Sequence, residues 1–442
     1  MIERVASLLG DPRAASRAAL RSPTVRTFLV NALVLGLGLL SGVQLARGMG
    51  PSGRGELAAA WLWPMLLMYL ASMGVIQAVV YFAALPDARP ARVLGTALAC
   101  ATAQSAVVMA VGYAVLPLLL AHQAPSVIAA GRAYLWVIPV SLASQYGLGV
   151  LQARLHFTAF NWIRVLNPAG YVVAVFALQR AGALTPSAAL QAQLWLNVLA
   201  LGATAVALWR TGLVARPGDL RPDRALGGRM LRYGAKVQAG GIPQTANLRM
   251  DQALLAAWFP PAQLGLYVAA VSAAGVGDVL STAVRTVATP SIAQQGAAAG
   301  ARTLQVTFRK YAAASAAGTL ALAAVLPWAI PFVYGRAFAG ATAPALVLLA
   351  AGLCLGAKQV LAGGAQALGD PWLASRAEIV GAVVTVACLP LLLPRLGIMG
   401  AALATLAAYA TQLGVVLVGL SRAHAIRVPS LVWARPAAPN AR

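Results

Sequence analysis

Long apolar runs alternate with short polar ones along the whole chain, and the runs are too long to be strands. A helix rises ~1.5 Å per residue and the hydrocarbon core of a bilayer is ~30 Å thick, so a spanning helix needs ~20 apolar residues. Twelve runs fit: 27–46, 57–83, 93–120, 133–151, 158–178, 187–209, 234–258, 263–288, 311–333, 344–367, 372–393 and 397–420. The fifth and seventh are the least apolar. One holds Asn161, Arg164 and Asn167, the other Gln244, Asn247, Arg249 and Asp251. The pattern predicts an all-α integral membrane protein of about twelve transmembrane helices.

Composition agrees with that reading. Of 442 residues, 60% are hydrophobic and 10% charged, against ~25% charged in an ordinary soluble domain. Soluble enzymes, disordered chains and disulfide scaffolds are poor fits. Cys100, Cys354 and Cys388 lie inside apolar runs, where a thiol is a small hydrophobe rather than half of a disulfide. The net charge of +23 is carried mostly by arginine, and most of it sits in short loops. The expected partner is therefore the lipid bilayer and not nucleic acid.

The basic residues also orient the chain. With the N-terminus in the cytoplasm, 22 of the 33 fall in inside segments and six outside (Arg47, Arg54, Arg132, Arg180, Arg336 and Arg395). The other five, Arg164, Lys236, Arg249, Arg285 and Lys358, lie within spans. That bias obeys the positive-inside rule with both termini cytoplasmic. The expected organisation is a basic cytoplasmic segment at 1–26, a six-helix N-lobe at 27–209, a basic connector at 210–233, a six-helix C-lobe at 234–420 and a cytoplasmic tail at 421–442. Residues 1–26 read as an interfacial helix or an unstructured leader rather than a cleaved signal.

The halves echo each other weakly. Gly50-Pro51-Ser52-Gly53-Arg54-Gly55-Glu56-Leu57 answers Pro260-Pro261-Ala262-Gln263-Leu264-Gly265-Leu266-Tyr267 at an offset of 210, and Gln152-Ala153 answers Gln366-Ala367. An even number of spans per half predicts parallel repeats with a cavity between them. Prolines inside spans, among them Pro64, Pro117, Pro139, Pro168, Pro243 and Pro327, predict bent helices. Gly38 and Gly42, four apart in span one, predict a close helix contact.

A charge at bilayer depth costs roughly 2.5–3.5 kcal/mol on insertion scales and persists where it meets a partner or a cavity. Arg249, Asp251, Asp278 and Lys358 lie too deep to reach a headgroup layer easily; Arg164 is shallower. Arg249 and Asp251 are two apart and point to different sides of their helix. Spans one to six hold no Asp or Glu. Cations thus outnumber acids in the core, and a cationic cavity suits an anionic cargo, for which the arginine fork matches phosphate oxygens. Candidate cargo contacts are Arg249, Arg164, Lys358, Arg285 and Asn161. Trp61, Trp63, Trp136, Trp162 and Trp195 could stack on sugars, though anchoring at the membrane interface explains them as well. No phosphate-binding Gly-rich loop with its lysine, no metal spacing among His122, His156 and His424, and no nucleophile–base pair is evident. The reading is a transporter without cofactor rather than an enzyme.

Ala46-Arg47-Gly48-Met49-Gly50-Pro51 with Gly53-Arg54-Gly55-Glu56-Leu57 form one block of interest. Asn247-Leu248-Arg249-Met250-Asp251-Gln252 with Leu264-Gly265-Leu266-Tyr267 form a second. Gly369-Asp370-Pro371 and Gly397-Ile398-Met399-Gly400-Ala401-Ala402 form a third. In order and spacing these resemble the polysaccharide-transporter (Wzx-like oligosaccharide flippase) branch of the MOP exporter superfamily. The resemblance implies two six-helix lobes in a V shape and alternating access. It implies movement of undecaprenyl-diphosphate-linked oligosaccharide across the bacterial inner membrane, for O-antigen, capsule or exopolysaccharide. It further implies work alongside a polymerase and other polysaccharide-assembly proteins, with Arg249, Arg164 and Lys358 neutralising the diphosphate. The alternative is a cation-coupled multidrug antiporter of the MATE type, which the missing first-lobe acid disfavours. A glycan polymerase or ligase would need large outside loops, and these are short. The chain also resembles lipid II flippases, although two further C-terminal spans expected of those have no counterpart here. Coupling would use a Na+ or H+ gradient, or consumption of glycan on the far side. Asp251 is the candidate, with Glu378 and Thr405 as co-ligands by analogy with a second-lobe cation site in relatives; alternatively Asp251 pairs with a lysine or arginine of a neighbouring helix.

The charge count makes a direct prediction. A cysteine placed at Ala225 should be labelled by an impermeant thiol reagent only after cells are permeabilised; labelling of intact cells would refute the twelve-span orientation.

Overall fold

The computed structural model describes residues 23–275 and 278–423. The expectations for residues 1–22 and 424–442, and for the side chain of Asp278, lie outside the described residues. Every regular element among the described residues is helical. In chain order they are α1 (Pro23–Ser72), α2 (Val75–Ala84), α3 (Pro90–Leu119), α4 (Pro125–Tyr134), α5 (Val137–Ala153), α6 (Phe157–Arg180) and α7 (Pro186–Arg210). After the connector come α8 (Arg224–Trp258), α9 (Pro261–Ala274), α10 (Asp278–Ala293), α11 (Ala297–Tyr334), α12 (Thr342–Ala367), α13 (Trp372–Leu396) and α14 (Ile398–Ala423). The described parts of the expected spans lie mostly on these helices, with 57–83 divided between α1 and α2 and 133–151 between α4 and α5; among the described residues eight helical stretches are individually long and apolar enough to cross a membrane. α6 and α8 are not among the eight, because their mid-helix polar residues dilute them. The chain is a multi-pass helical membrane protein.

Two helices run further than the apolar pattern suggests. The segment after span one is not a loop: α1 continues through it with a kink at Gly50, whose φ of 67° and ψ of −175° lie where side chains with a Cβ are strained. Pro51 then restarts the helix, since it has no N–H to lose in a first turn. α8 likewise begins inside the expected connector, at Arg224. Asp223 caps it by accepting from the Leu226 N–H at 3.0 Å, and Thr96 Oγ1 accepts from the Asp223 N–H at 3.0 Å. That N–H of Leu226, helped by Arg92 at 3.5 Å, holds the Asp223 carboxyl below the usual aspartate range. The cap is therefore present above the ordinary aspartate pKa and is lost as pH falls through the lowered one.

The helices cluster into two compact units. One takes residues up to Gly48, Trp63–Leu118 and Pro125–Gln238; the other takes Met49–Leu62, Leu119–Ala124 and residues from Ala239 onward. In the first unit Tyr146, Ile138, Leu142 and Val150 are fully buried on α5, and Leu116 on α3. Gln238 on α8 donates to the Tyr69 carbonyl of α1 at 2.9 Å. In the second unit Ile292, Leu304, Leu361, Val416 and Leu420 form the centre of an apolar core. Gln123 donates to the Ala256 and Phe259 carbonyls at 2.9 and 3.2 Å and ties Leu119–Ala124 to the end of α8.

The two echoing segments lie against each other inside the second unit. A Cβ on Gly55 would stand 1.7 Å from the Pro261 carbonyl oxygen, and one on Gly265 would stand 1.9 Å from that of Pro51. Each glycine thus meets the carbonyl of the other segment's proline, four residues before the other glycine. By contrast, a Cβ on Gly38 or Gly42 meets no described atom within 4 Å, so the expected contact of that pair is not made. Spacing permits a small-residue contact, but only a facing backbone creates one.

Gly55→Ala and Gly265→Ala should each destabilise the detergent-solubilised protein at or above the upper end of the ~1–3 kcal/mol typical of overpacking, because a backbone carbonyl cannot rotate aside. Gly38→Ala and Gly240→Ala, with open space around them, should be neutral or stabilising by up to ~1 kcal/mol. Thermal unfolding of the four variants checks this.

Candidate functional site

The polar residues that thin out α6 and α8 organise two separate clusters, one in each unit. In the first unit Asn161, Arg164 and Asn167 recur every third residue and share a broad face of α6. Asn161 is buried and donates to Thr27 Oγ1 at 3.1 Å, while its own carbonyl oxygen has no partner among the described residues. Arg164 is half-buried; it donates to Asn31 Oδ1 at 2.9 Å, and its guanidinium carbon lies 5.1 Å from the centre of the Phe160 ring. Asn167 Oδ1 accepts from Gln193 at 2.9 Å, and Asn197 Oδ1 accepts from Ser141 at 3.1 Å. These partners of Arg164 are neutral. Its positive charge is oriented by an amide and a ring and is not cancelled by them.

The second cluster is built on α8, where Asn247 and Asp251 stand four apart on one face. Asp251 is 5% exposed. Tyr267 of α9 and Thr405 of α14 donate to its Oδ2, the latter at 3.3 Å, and the Gln252 N–H donates to Oδ1 at 2.7 Å. Thr405, expected beside Asp251, is there. Glu378 is not: one of its carboxylate oxygens takes a buried ion pair with Lys358 of α12, and the other accepts from Asn247 Nδ2 at 2.9 Å. The same Asn247 nitrogen donates to the Glu378 carbonyl at 3.0 Å, and Thr385 donates to Asn247 Oδ1 at 3.1 Å. Tyr409 donates to the Asn247 carbonyl at 3.4 Å.

This arrangement revises two expectations and bears on a third. Lys358 does not offer a free cation, because Glu378 neutralises it; a lysine buried to 4% exposure needs such a partner. Glu378 does not join Asp251, because Lys358 and Asn247 already fill its oxygens. Asp251 forms no ion pair with a lysine or arginine among the described residues; hydroxyl and backbone donors carry its charge instead. Arg249 is half-buried and has no hydrogen bond or ion pair among the described residues. Arg285 is exposed, with its stem against Gly363. Trp136, Trp162 and Trp195 are all more than 60% exposed, as interface anchors are.

Tyr267 is the residue that sequence reading missed. α8 and α9 join at Phe259–Pro260, so Asp251, eight residues before that turn, and Tyr267, seven after it, lie at similar depth. That symmetry about the turn is a signal a sequence could have yielded. Tyr267 is also two residues from Gly265, so the donor to Asp251 and the glycine crossing share one turn of α9.

No family profile and no curated protein sequence matches the chain. Solved structures do. The lipid II flippase MurJ in an inward closed conformation is similar with a TM-score of 0.73 at 12% identity, over 89% of this chain and 87% of that one. An inward-facing multidrug resistance MATE family transporter of the MOP superfamily is similar at 0.70 and 13%, over 89% and 95%. The MATE multidrug transporter DinF-BH is similar at 0.63 and 13%, over 95% and 97%. The fold is therefore that of MOP-superfamily transporters. At these identities the likeness is one of fold.

Tyr267→Phe should cost ~1.5–3 kcal/mol, the range for a hydrogen bond to a charged group, and Thr405→Val should cost less, ~0.5–1.5 kcal/mol. In an Asp251→Asn background the cost of Tyr267→Phe should shrink, which a double-mutant cycle of thermal unfolding measures.

Proposed function

We propose that the chain is a flippase for undecaprenyl-diphosphate-linked oligosaccharide in the bacterial inner membrane, with both termini cytoplasmic, working by alternating access. The observation that carries this reading is Arg164, a half-buried guanidinium held by Asn31 and Phe160 in a set of spans that contain no acid. An arginine left uncancelled at membrane depth suits a diphosphate, whose oxygens its planar fork matches. Arg249, in the other unit, is the second proposed contact: it makes no hydrogen bond or ion pair among the described residues, and Asp251 two residues on is the acid nearest to it along the chain. Lys358 drops out of the cargo contacts, since Glu378 takes its charge. Arg285 and Asn161 remain as secondary contacts on the cargo side. The prenyl chain would stay in lipid, and glycan polymerase and other polysaccharide-assembly proteins would act on the product.

For coupling, Asp251 is the candidate site and a proton or Na+ the candidate ion. Each of its three hydrogen-bonding neighbours donates to it. The Tyr267 and Thr405 hydroxyls can also turn lone pairs toward a cation, while Glu378 is committed to Lys358 and Asn247. The multidrug-antiporter alternative is weaker, since the acid-free first six spans offer no cation-coupling site of their own.

Reconstituted proteoliposomes test both parts. Arg164→Ala and Arg249→Ala should each abolish flipping of the lipid-linked glycan at normal protein level, and lysine should restore only part of it. Normal export by both alanine variants would remove the cationic argument. Asp251→Asn should keep binding of the glycan lipid but lose the response to an imposed Na+ or pH gradient; an unchanged response to both would end the coupling role.

A further inference from the structure

The ion pair between Lys358 and Glu378 lies deep inside the second unit, where α12, α13 and α8 meet. Lys358 is 4% exposed, and the side chains of the pair are 5% and 13% exposed. The glutamate is prepared for a cation on one oxygen only. Asn247 Nδ2 donates to the other oxygen and to the Glu378 carbonyl, and Thr385 in turn fixes Asn247 through its Oδ1. The carboxylate is therefore oriented from behind by a neutral amide, and its free oxygen faces a single positive group. That group arrives on a flexible four-carbon stem from α12.

The other charges near these elements do not share that oxygen. Asp251 stands one turn along α8 and takes its own donors from Tyr267 and Thr405. Arg285 of α10 is exposed with its stem on Gly363. Arg249 makes no ion pair with Glu378 among the described residues.

We propose that the Lys358 ammonium is a tethered cation: it occupies a monovalent-cation site whose protein ligand is Glu378, held in place by Asn247. The chain supplies its own ion at this place, so the wild type neither binds nor requires a free one there. Trimming lysine to alanine removes four heavy atoms beyond Cβ and leaves the oriented carboxylate beside a void. A free cation small enough to enter, Na+ or methylammonium, would then take the place of the ammonium. Choline is too bulky to do so. A buried carboxylate with no counter-charge is strongly destabilising, whereas removing both charges together is close to neutral, so the pair can be dissected by stability alone. The inference is independent of the cargo: its failure leaves the flippase reading standing, and failure of that reading leaves this one.

The experiment is thermal unfolding of the purified full-length protein in choline chloride, sodium chloride and methylammonium chloride at equal ionic strength. Lys358→Ala should unfold well below wild type in choline chloride and recover by several degrees in at least one of the other two salts, saturably with concentration. Wild type should differ by no more than the scatter among the three salts. Lys358→Met combined with Glu378→Gln should be near wild type and equally indifferent. Three results would overturn the proposal. One is a Lys358→Ala variant that responds alike to all three salts or fails to accumulate in any of them. Another is a wild type that gains as much from sodium as the variant does. The third is failure of the double variant to accumulate, which would mean the pair does more than neutralise itself.

Discussion

A polar group at bilayer depth has no water to turn to, and that constraint organises both units. Each buried donor or acceptor must find its match in another helix, or the helix that carries it is destabilised by several kcal/mol. One network of the second unit meets the demand, although both ends of the buried Gln412 amide have no partner among the described residues. Asn247 uses both ends of its amide as well as its backbone carbonyl, Glu378 spends one oxygen on Lys358 and the other on Asn247, and Asp251 gathers two hydroxyls and a backbone N–H. Four helices, α8, α9, α13 and α14, together with α12, are held in register by these bonds. The first unit leaves a surplus: Arg164 has neutral partners, and the Asn161 carbonyl oxygen has none among the described residues.

Backbone contact is the second organising device. Apolar side chains gain little by leaving lipid for another helix, so helices in membranes hold together through close approach and hydrogen bonds. Gly55 and Gly265 bring two helix backbones together so closely that no Cβ fits at either position. The blocks that carry the family resemblance fall on such places. Gly50 kinks α1, Gly265 lies at the crossing, and Asp370 accepts from the Leu373 N–H at 3.2 Å to start α13. In this chain these residues set turn and contact geometry. The fold shared with the solved lipid II flippase and multidrug transporters comes at 12–13% identity, so the substrate is argued from charge.

Much of this protein was readable along the chain. The length and apolarity of each run decided that it is helical and membrane-embedded, since only a helix satisfies its own backbone in lipid. The polar residues of spans five and seven singled out α6 and α8, and a spacing of four places Asn247 and Asp251 on one face. Thr405 beside Asp251 was also anticipated. What the sequence could not decide was partnership. Lys358 and Glu378 are 20 residues apart on consecutive helices, and nothing in either segment says that the glutamate turns to that lysine rather than to Asp251; the choice depends on how α12 and α13 pack on α8. Nor does spacing distinguish Gly38 and Gly42, which face open space, from Gly55 and Gly265, which face a carbonyl. Periodicity is a property of one helix and is written in one segment. A contact belongs to two, and for charges in a medium without water the identity of the second decides whether the first is structural or free to bind.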